Sequence, residues 1–147
     1  MFEPILLDTN ILVYAHNSSS IFHSQSLDTV KDVIEGRLRG LLTHQNLLEF
    51  YSIITDRKRV ANPLSPEEAQ ELVNNYLHSP FEIIFPGQET GEILLSLCQE
   101  NSIKNGEIFD VYLAATCLSN NIRTILTANV KDFQNLAGIN IIDLNAQ

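Results

Sequence analysis

Short apolar runs that end abruptly at a polar residue alternate along this chain with longer segments whose apolar positions recur every three or four residues. The first run, residues 4–8, is apolar until it stops at Asp8, as a strand buried on both faces would read. Residues 11–15 begin a helix. Over residues 22–35, Leu27, Val30, Val33 and Ile34 keep helical spacing, and Gly36 stands where a helix end needs positive φ. Residues 41–43 predict a second strand, and residues 46–55 a helix that is apolar on most sides. Ser65, Pro66 and Glu68 form a capping box with proline at the first helical position, opening a helix to about residue 78. Residues 81–85 predict a third strand, 89–100 a helix, and 108–118 another, where Ala114 and Ala115 permit close packing. Residues 123–127 predict a fourth strand, followed by a short helical turn near Asp132 and a last strand at 139–142. Strands that alternate with helices make βαβ units, so the expected fold is a three-layer α/β/α sandwich around a parallel sheet of about five strands. Ligands in such sheets bind beyond the carboxyl ends of the strands, where Asp8 lies.

Composition narrows this only slightly. A chain of 147 residues, 44% hydrophobic and 18% charged, reads as one globular domain over residues 1–147. Cys98 and Cys117 form no CxxC pair and sit in apolar, helix-like surroundings, so they read as reduced core thiols. The opening Met-Phe-Glu-Pro lacks the basic residues of a signal peptide, and no apolar run reaches the roughly 20 residues of a membrane span. A cytoplasmic protein with no membrane partner is expected. The net charge of -9 has the wrong sign for binding phosphates. Clustered carboxylates that hold a metal would offset this, because the metal inverts the local field. The basic residues are also bunched, at Arg57-Lys58-Arg59 and at Arg37 and Arg39. The run 57–59 reads either as a solvated helix end or as an RNA contact.

Four acids sit in unusual company. Asp8 ends an apolar strand, Glu49 lies within Leu47-Leu48-Glu49-Phe50-Tyr51, Asp110 within Ile108-Phe109-Asp110-Val111-Tyr112, and Asp132 follows a strand and turn. Each also has an ordinary reading: Asp8 as the cap of the next helix, Glu49 in a salt bridge to Arg57 or Lys58, Asp110 as a helix-dipole partner, Asp132 as a helix start. Taken together they predict a shared site. Partly buried carboxylates repel one another unless a hard divalent cation joins them, and Mg²⁺ or Mn²⁺ prefers oxygen ligands. Such a cation polarises a phosphoryl oxygen and acidifies water, which suits phosphodiester hydrolysis. His16, His23, His44 and His78 have no zinc spacing, and His44, nearest the acids in sequence, reads as structural. Neither a GxGxxG or P-loop nor a GxSxG elbow occurs, which argues against nucleotide cofactors and serine hydrolysis.

The segment Leu7-Asp8-Thr9-Asn10-Ile11-Leu12 resembles the opening motif of PIN domains, and residues 43–49 resemble their second segment. Phe109-Asp110-Val111-Tyr112-Leu113-Ala114-Ala115 resembles the third, and residues 126–133 the fourth. The motifs stand in family order over nearly the whole chain. The resemblance implies strand order 3-2-1-4-5, a Mg²⁺ or Mn²⁺ site and cleavage of single-stranded or structured RNA. A single domain of this size is most similar to VapC-type toxins, which implies a homodimer and a small cognate antitoxin. Asp8, Glu49 and Asp110 match the core metal-site acids, Asp132 a fourth catalytic acid, and Asn10 and Thr127 supporting positions. Asn129 stands where the family often has Asp or Asn, which leaves one or two metals open. Two rival functions are a non-catalytic PIN-like interaction module, favoured by the acidity and by Asn129, and a receiver-like phosphoacceptor. The receiver requires adjacent early acids and a late lysine, and Glu3, Asp8 and Lys131 are poorly spaced for it.

Overall fold

Side-chain alternation along each strand decides the layering. In the computed structural model, which describes residues 3–146, Leu6, Leu41, Ile125 and Ile141 join one apolar cluster and Leu7, Leu42, Leu126 and Ile142 the other. Met1, Phe2 and Gln147 lie outside the described residues, and with them the first two positions of the signal-peptide reading. The strands are β1 (Pro4–Leu7), β2 (Arg39–Leu42), β3 (Glu82–Ile83), β4 (Thr124–Thr127) and β5 (Asn140–Asp143). The helices are α1 (Thr9–Ala15), α2 (His23–Ile34), α3 (His44–Ile54), α4 (Pro66–Leu77), α5 (Thr90–Glu100) and α6 (Glu107–Ser119). All pairings are parallel, in the order β3-β2-β1-β4-β5, as the resemblance implied. Helices α1 to α4 supply the core on one face, through Ile11, Leu12, Val33, Phe50 and Tyr76, and α5 and α6 the core on the other. Ala114 and Ala115 are fully buried in the second core, as their small size anticipated. Among the described residues no helix is long and apolar enough to cross a membrane.

Where element ends depart from the sequence reading, local hydrogen bonds explain the shift. Helix α1 starts two residues early because the Asp8 carboxylate accepts from the Thr9 amide and caps it. Helix α3 likewise starts at His44, with Thr43 as N-cap. The Thr43 hydroxyl accepts from Asn46 N, and the Asn46 side chain accepts from Thr43 N. This is a capping box built with asparagine in place of the usual Glu or Gln. The Ser65 box forms as expected. Gly36, at φ 78°, closes α2 in a Schellman turn, with Arg37 N donating to Asp32 O and Gly36 N to Val33 O. Strand β3 is shorter than the five residues expected. The Phe85 carbonyl is taken by the Asn120 side chain, and Pro86 has no N–H to continue a ladder. Of the two cysteines, Cys117 is buried and Cys98 only half-buried, and both are free.

Gly40 on β2 is where sheet and helix approach most tightly. A Cβ there would lie 2.6 Å from Val33 Cγ2 and 2.9 Å from Phe81 Cε1, closer than real carbon contacts allow. Gly40→Ala should therefore destabilise the chain by about 1–3 kcal/mol through overpacking. Adding Val33→Ala should return part of that loss, because the two sites share one space. Chemical denaturation of the two single variants and the double variant checks this; strictly additive losses would refute the crowding.

Candidate active site

Chain order places a crevice between β1 and β4. From β1 the chain builds outward to β2 and β3, then returns to the opposite side of β1 for β4, so the crossovers leave this pair in different directions. Parallel sheets bind ligands at such a switch point, at the carboxyl ends of the strands. Asp8 follows β1 and Thr127 ends β4, and the two meet there. The Thr127 hydroxyl donates to Asp8 Oδ2 at 2.8 Å, the Thr9 amide to Oδ1 at 2.8 Å, and Asn10 Nδ2 to Oδ2 at 3.3 Å. The Thr127 hydroxyl in turn accepts from the Asn129 amide at 2.9 Å. Asp8 thus caps α1 and also lines the crevice, so the capping reading does not displace it from the candidate site. Asn10 and Thr127, expected as supporting positions, both donate to Asp8 Oδ2.

Glu49 reaches the same crevice from α3. Its Oε2 accepts from the Thr9 hydroxyl at 3.1 Å and its Oε1 from Gln45 Nε2 at 3.0 Å. The salt bridge to Arg57 or Lys58 does not form; the ion pairs among the described residues are Arg37 with Asp32 and Glu35, and Arg39 with Glu82. Sequence reading assigned no role to Thr9, Gln45 or Asn46. Yet Asn46 Nδ2 donates to the Thr9 hydroxyl, and Gln45 Nε2 also donates to the Phe109 carbonyl on α6. The one signal for Gln45 was its place four residues before Glu49, a spacing that puts both on one helix face. Asn46 carried no signal, since a T-x-x-N cap is not the usual box.

Asp110 from the first turn of α6 and Asp132 from the 3-10 turn Val130–Asp132 complete the wall. A cavity of about 270 Å³ is lined by Asp8, Glu49, Asp110, Asp132, Asn10 and Asn129, together with Thr9 and Arg59. All four predicted acids therefore share one space. Of the basic run only Arg59 belongs to it; Arg57 and Lys58 are exposed in the turn beyond α3, outside the cavity lining. His44 is exposed, with its ring edge-on to Phe85 at 5.0 Å, outside this cavity.

The acids feel burial and one another. Burial pushes the Asp8 carboxyl up to about 6, with Glu49 and Asp132 adding and the Thr127 and Thr9 hydrogen bonds opposing. Burial also drives Asp110 up to about 7, helped by Asp132, Asp8, Glu49 and Glu107. Asp132 is raised as well, through partial burial and Glu107. These shifts describe a site short of positive charge. Among the described residues no three acidic, His or Cys side chains stand close enough together to hold a metal ion by themselves. The carboxylates instead line a cavity, all with oxygen donors. That donor set fits Mg²⁺ or Mn²⁺, which keep several waters and need only one or two direct carboxylates, and lacks the nitrogen and sulfur donors on which zinc sites are usually built.

Comparison with known proteins identifies relatives of this chain and of its fold. The family model for the PIN domain matches residues 5–139. VapC ribonuclease Mb2897 of Mycobacterium bovis and Ribonuclease VapC43 of Mycobacterium tuberculosis are each 26% identical over 118 residues, covering 80% of this chain and 80% of theirs. Among solved structures, VapBC2 from Rickettsia felis bound to a promoter DNA fragment has a similar fold, with TM-score 0.67 and 20% identity. That alignment covers 95% of this chain and 98% of the other. DNA-bound VapBC from Salmonella typhimurium aligns with TM-score 0.67 at 19% identity, over 98% and 99% of the two chains.

The raised carboxyls set a pH dependence. Asp8 and Asp110 ionise near 3.8 in the unfolded chain and near 6 and 7 in the folded one. Between those values the folded form holds more protons, so stability falls as pH rises through the window from about 4 to about 7. In chelator, the chain should melt lower at about pH 8 than at about pH 5. Asp110→Asn should flatten this difference and raise the melting point at the higher pH, by about 2–4 °C for each kcal/mol of repulsion removed. Calorimetry at both pH values decides; a variant that melts lower than the parent at high pH would contradict the assignment.

Proposed function

This chain belongs to the PIN domain family, and we propose that it is a metal-dependent endoribonuclease, the toxin of a toxin–antitoxin pair. The observation that carries the reading is the gathering of Asp8, Glu49, Asp110 and Asp132 around one cavity at the sheet's switch point. The ribonuclease names of the curated relatives support the substrate. Asp8, Asp110 and Glu49 would hold Mg²⁺ or Mn²⁺, with Asp132 and Asn129 at the rim. A cation bound there supplies positive charge for the phosphoryl oxygen and lowers the pKa of water. The chain's own residues do the positioning. Three donors orient the Asp8 carboxylate, and Thr9 and Gln45 hold one oxygen each of Glu49. Gln45 also ties α3 to α6, so Glu49 and Asp110 face the cavity from two helices joined by a side-chain hydrogen bond.

A cognate antitoxin is the protein partner in this reading, supported by the VapBC descriptions of the structural neighbours. The cytoplasm, where RNA and free thiols occur together, is the compartment it entails. A homodimer is the expected assembly. Exposed Leu48, Phe85 and Phe109 supply an apolar surface between α3 and α6 of the kind that association covers.

Purified protein should cleave single-stranded RNA in Mn²⁺ or Mg²⁺ and lose this in EDTA. Asp8→Asn and Asp110→Asn should each lower kcat/KM by at least about 100-fold, the scale of a lost transition-state contact. Induced expression should arrest growth with the parent chain and not with Asp110→Asn. Parent-level cleavage by Asp8→Asn would mean that the activity arises elsewhere. For the assembly, the parent should sediment as two copies and Phe109→Glu as one; a monomeric parent would remove the homodimer from the reading.

A further inference from the structure

The nine basic side chains of a chain with net charge -9 are unevenly available. Arg37 and Arg39 are spent on Asp32, Glu35 and Glu82. Two others stand at the acids. The cavity holding Asp8 and Glu49 carries Arg59 on its wall. A second cavity, of about 210 Å³, shares Asp110 and Asp132 with the first and carries Lys131. Asp110 and Asp132 thus stand between two adjoining hollows, each with a cation, the first also lined by Asp8 and Glu49 and the second by Glu107. Both side chains are exposed, and neither forms an ion pair or hydrogen bond among the described residues, although carboxylates line the same walls. Cations that stay unpaired beside acids are placed to meet an anion from outside.

Resting on the nuclease reading, we infer that Arg59 and Lys131 bind the phosphates on either side of the scissile one, so that a single strand crosses the acids from one hollow to the other. A polyanion laid over four carboxylates is repelled unless its flanking phosphates find positive charge. Arg59 offers a planar fork that can take two phosphate oxygens, and Lys131 a point charge. Arg57 and Lys58, adjacent in sequence to Arg59, lie outside both hollows and are left out of the track.

The test measures binding and cleavage separately. Anisotropy of a fluorescein-labelled short oligouridine in Ca²⁺ gives Kd as a function of salt. For a single strand each phosphate contact contributes about 0.7 to the slope of log Kd against log salt. Arg59→Gln and Lys131→Gln should each lower the slope by about that amount and weaken binding by roughly tenfold, while Lys31→Gln on α2 keeps the parent slope. All three positions are exposed, so unchanged circular-dichroism melts will verify folding. In Mn²⁺ the two variants should raise KM for RNA cleavage more than they lower kcat. An unchanged slope in either variant, or a parent chain that binds no oligouridine, overturns the inference. A parent chain that binds with both contributions yet cleaves no RNA upholds the track and retires the nuclease reading.

Discussion

Everything at the carboxyl edge of this sheet depends on keeping the Asp8 carboxylate buried beside other acids. A lone carboxylate so placed would neutralise or pull the backbone apart. Here its two oxygens take three hydrogen bonds, from the Thr9 amide, the Asn10 side chain and the Thr127 hydroxyl. Two of those donors come from the helix that Asp8 itself caps, and the third from the neighbouring strand β4. The β1–β4 pairing, the start of α1 and the aim of the carboxylate are therefore one structure. Burial, with repulsion from Glu49 and Asp132 added to it, outweighs those hydrogen bonds, which is why the Asp8 carboxyl rises instead of falling as a well-bonded one does. Burial, together with its acidic neighbours, raises Asp110 likewise. Burial and acidic neighbours thus leave these carboxyls partly protonated near neutral pH, a state that a cation bound among them would reverse.

That logic explains what could be read beforehand. Two-sided strands announce themselves, because each position must be apolar whichever face it meets; Leu6 and Leu7 belong to opposite cores. Asp8 stands out because it ends such a run, and Glu49 and Asp110 because they interrupt apolar helical stretches; all of them line one cavity with Asp132. The resemblance supplied the strand order, which local pattern cannot give, since it depends on which crossover reverses. Element ends were less legible because caps are made by single hydrogen bonds. An asparagine at the third position of α3 and an aspartate doing double duty before α1 each moved a boundary by two residues.

What stayed illegible was pairwise. Gln45 joins Glu49 to the α6 backbone across 64 positions of sequence, and no periodicity encodes that contact. The basic run shows the same limit: three consecutive cations look equivalent as letters, yet only Arg59 turns into the cavity. The salt bridge that is the ordinary reading of Glu49 does not form; its oxygens accept from Thr9 and Gln45 instead. Charge alone does not choose a partner; backbone direction does.

The acidity of the chain then takes a different meaning. A nuclease with a broad basic face would bind RNA indiscriminately, since phosphate contacts carry no sequence information. This chain lacks that general attraction, and two of its nine cations are cancelled by neighbouring acids. In the proposed function, positive charge would meet a strand at a few discrete points: Arg59, Lys131 and a cation held by the acids. A strand would then be held where its phosphates meet those points in register, so that affinity and alignment come from the same contacts. Selectivity would then rest on the shape of the path between the two hollows, and the net charge works as a filter against strands that do not follow it.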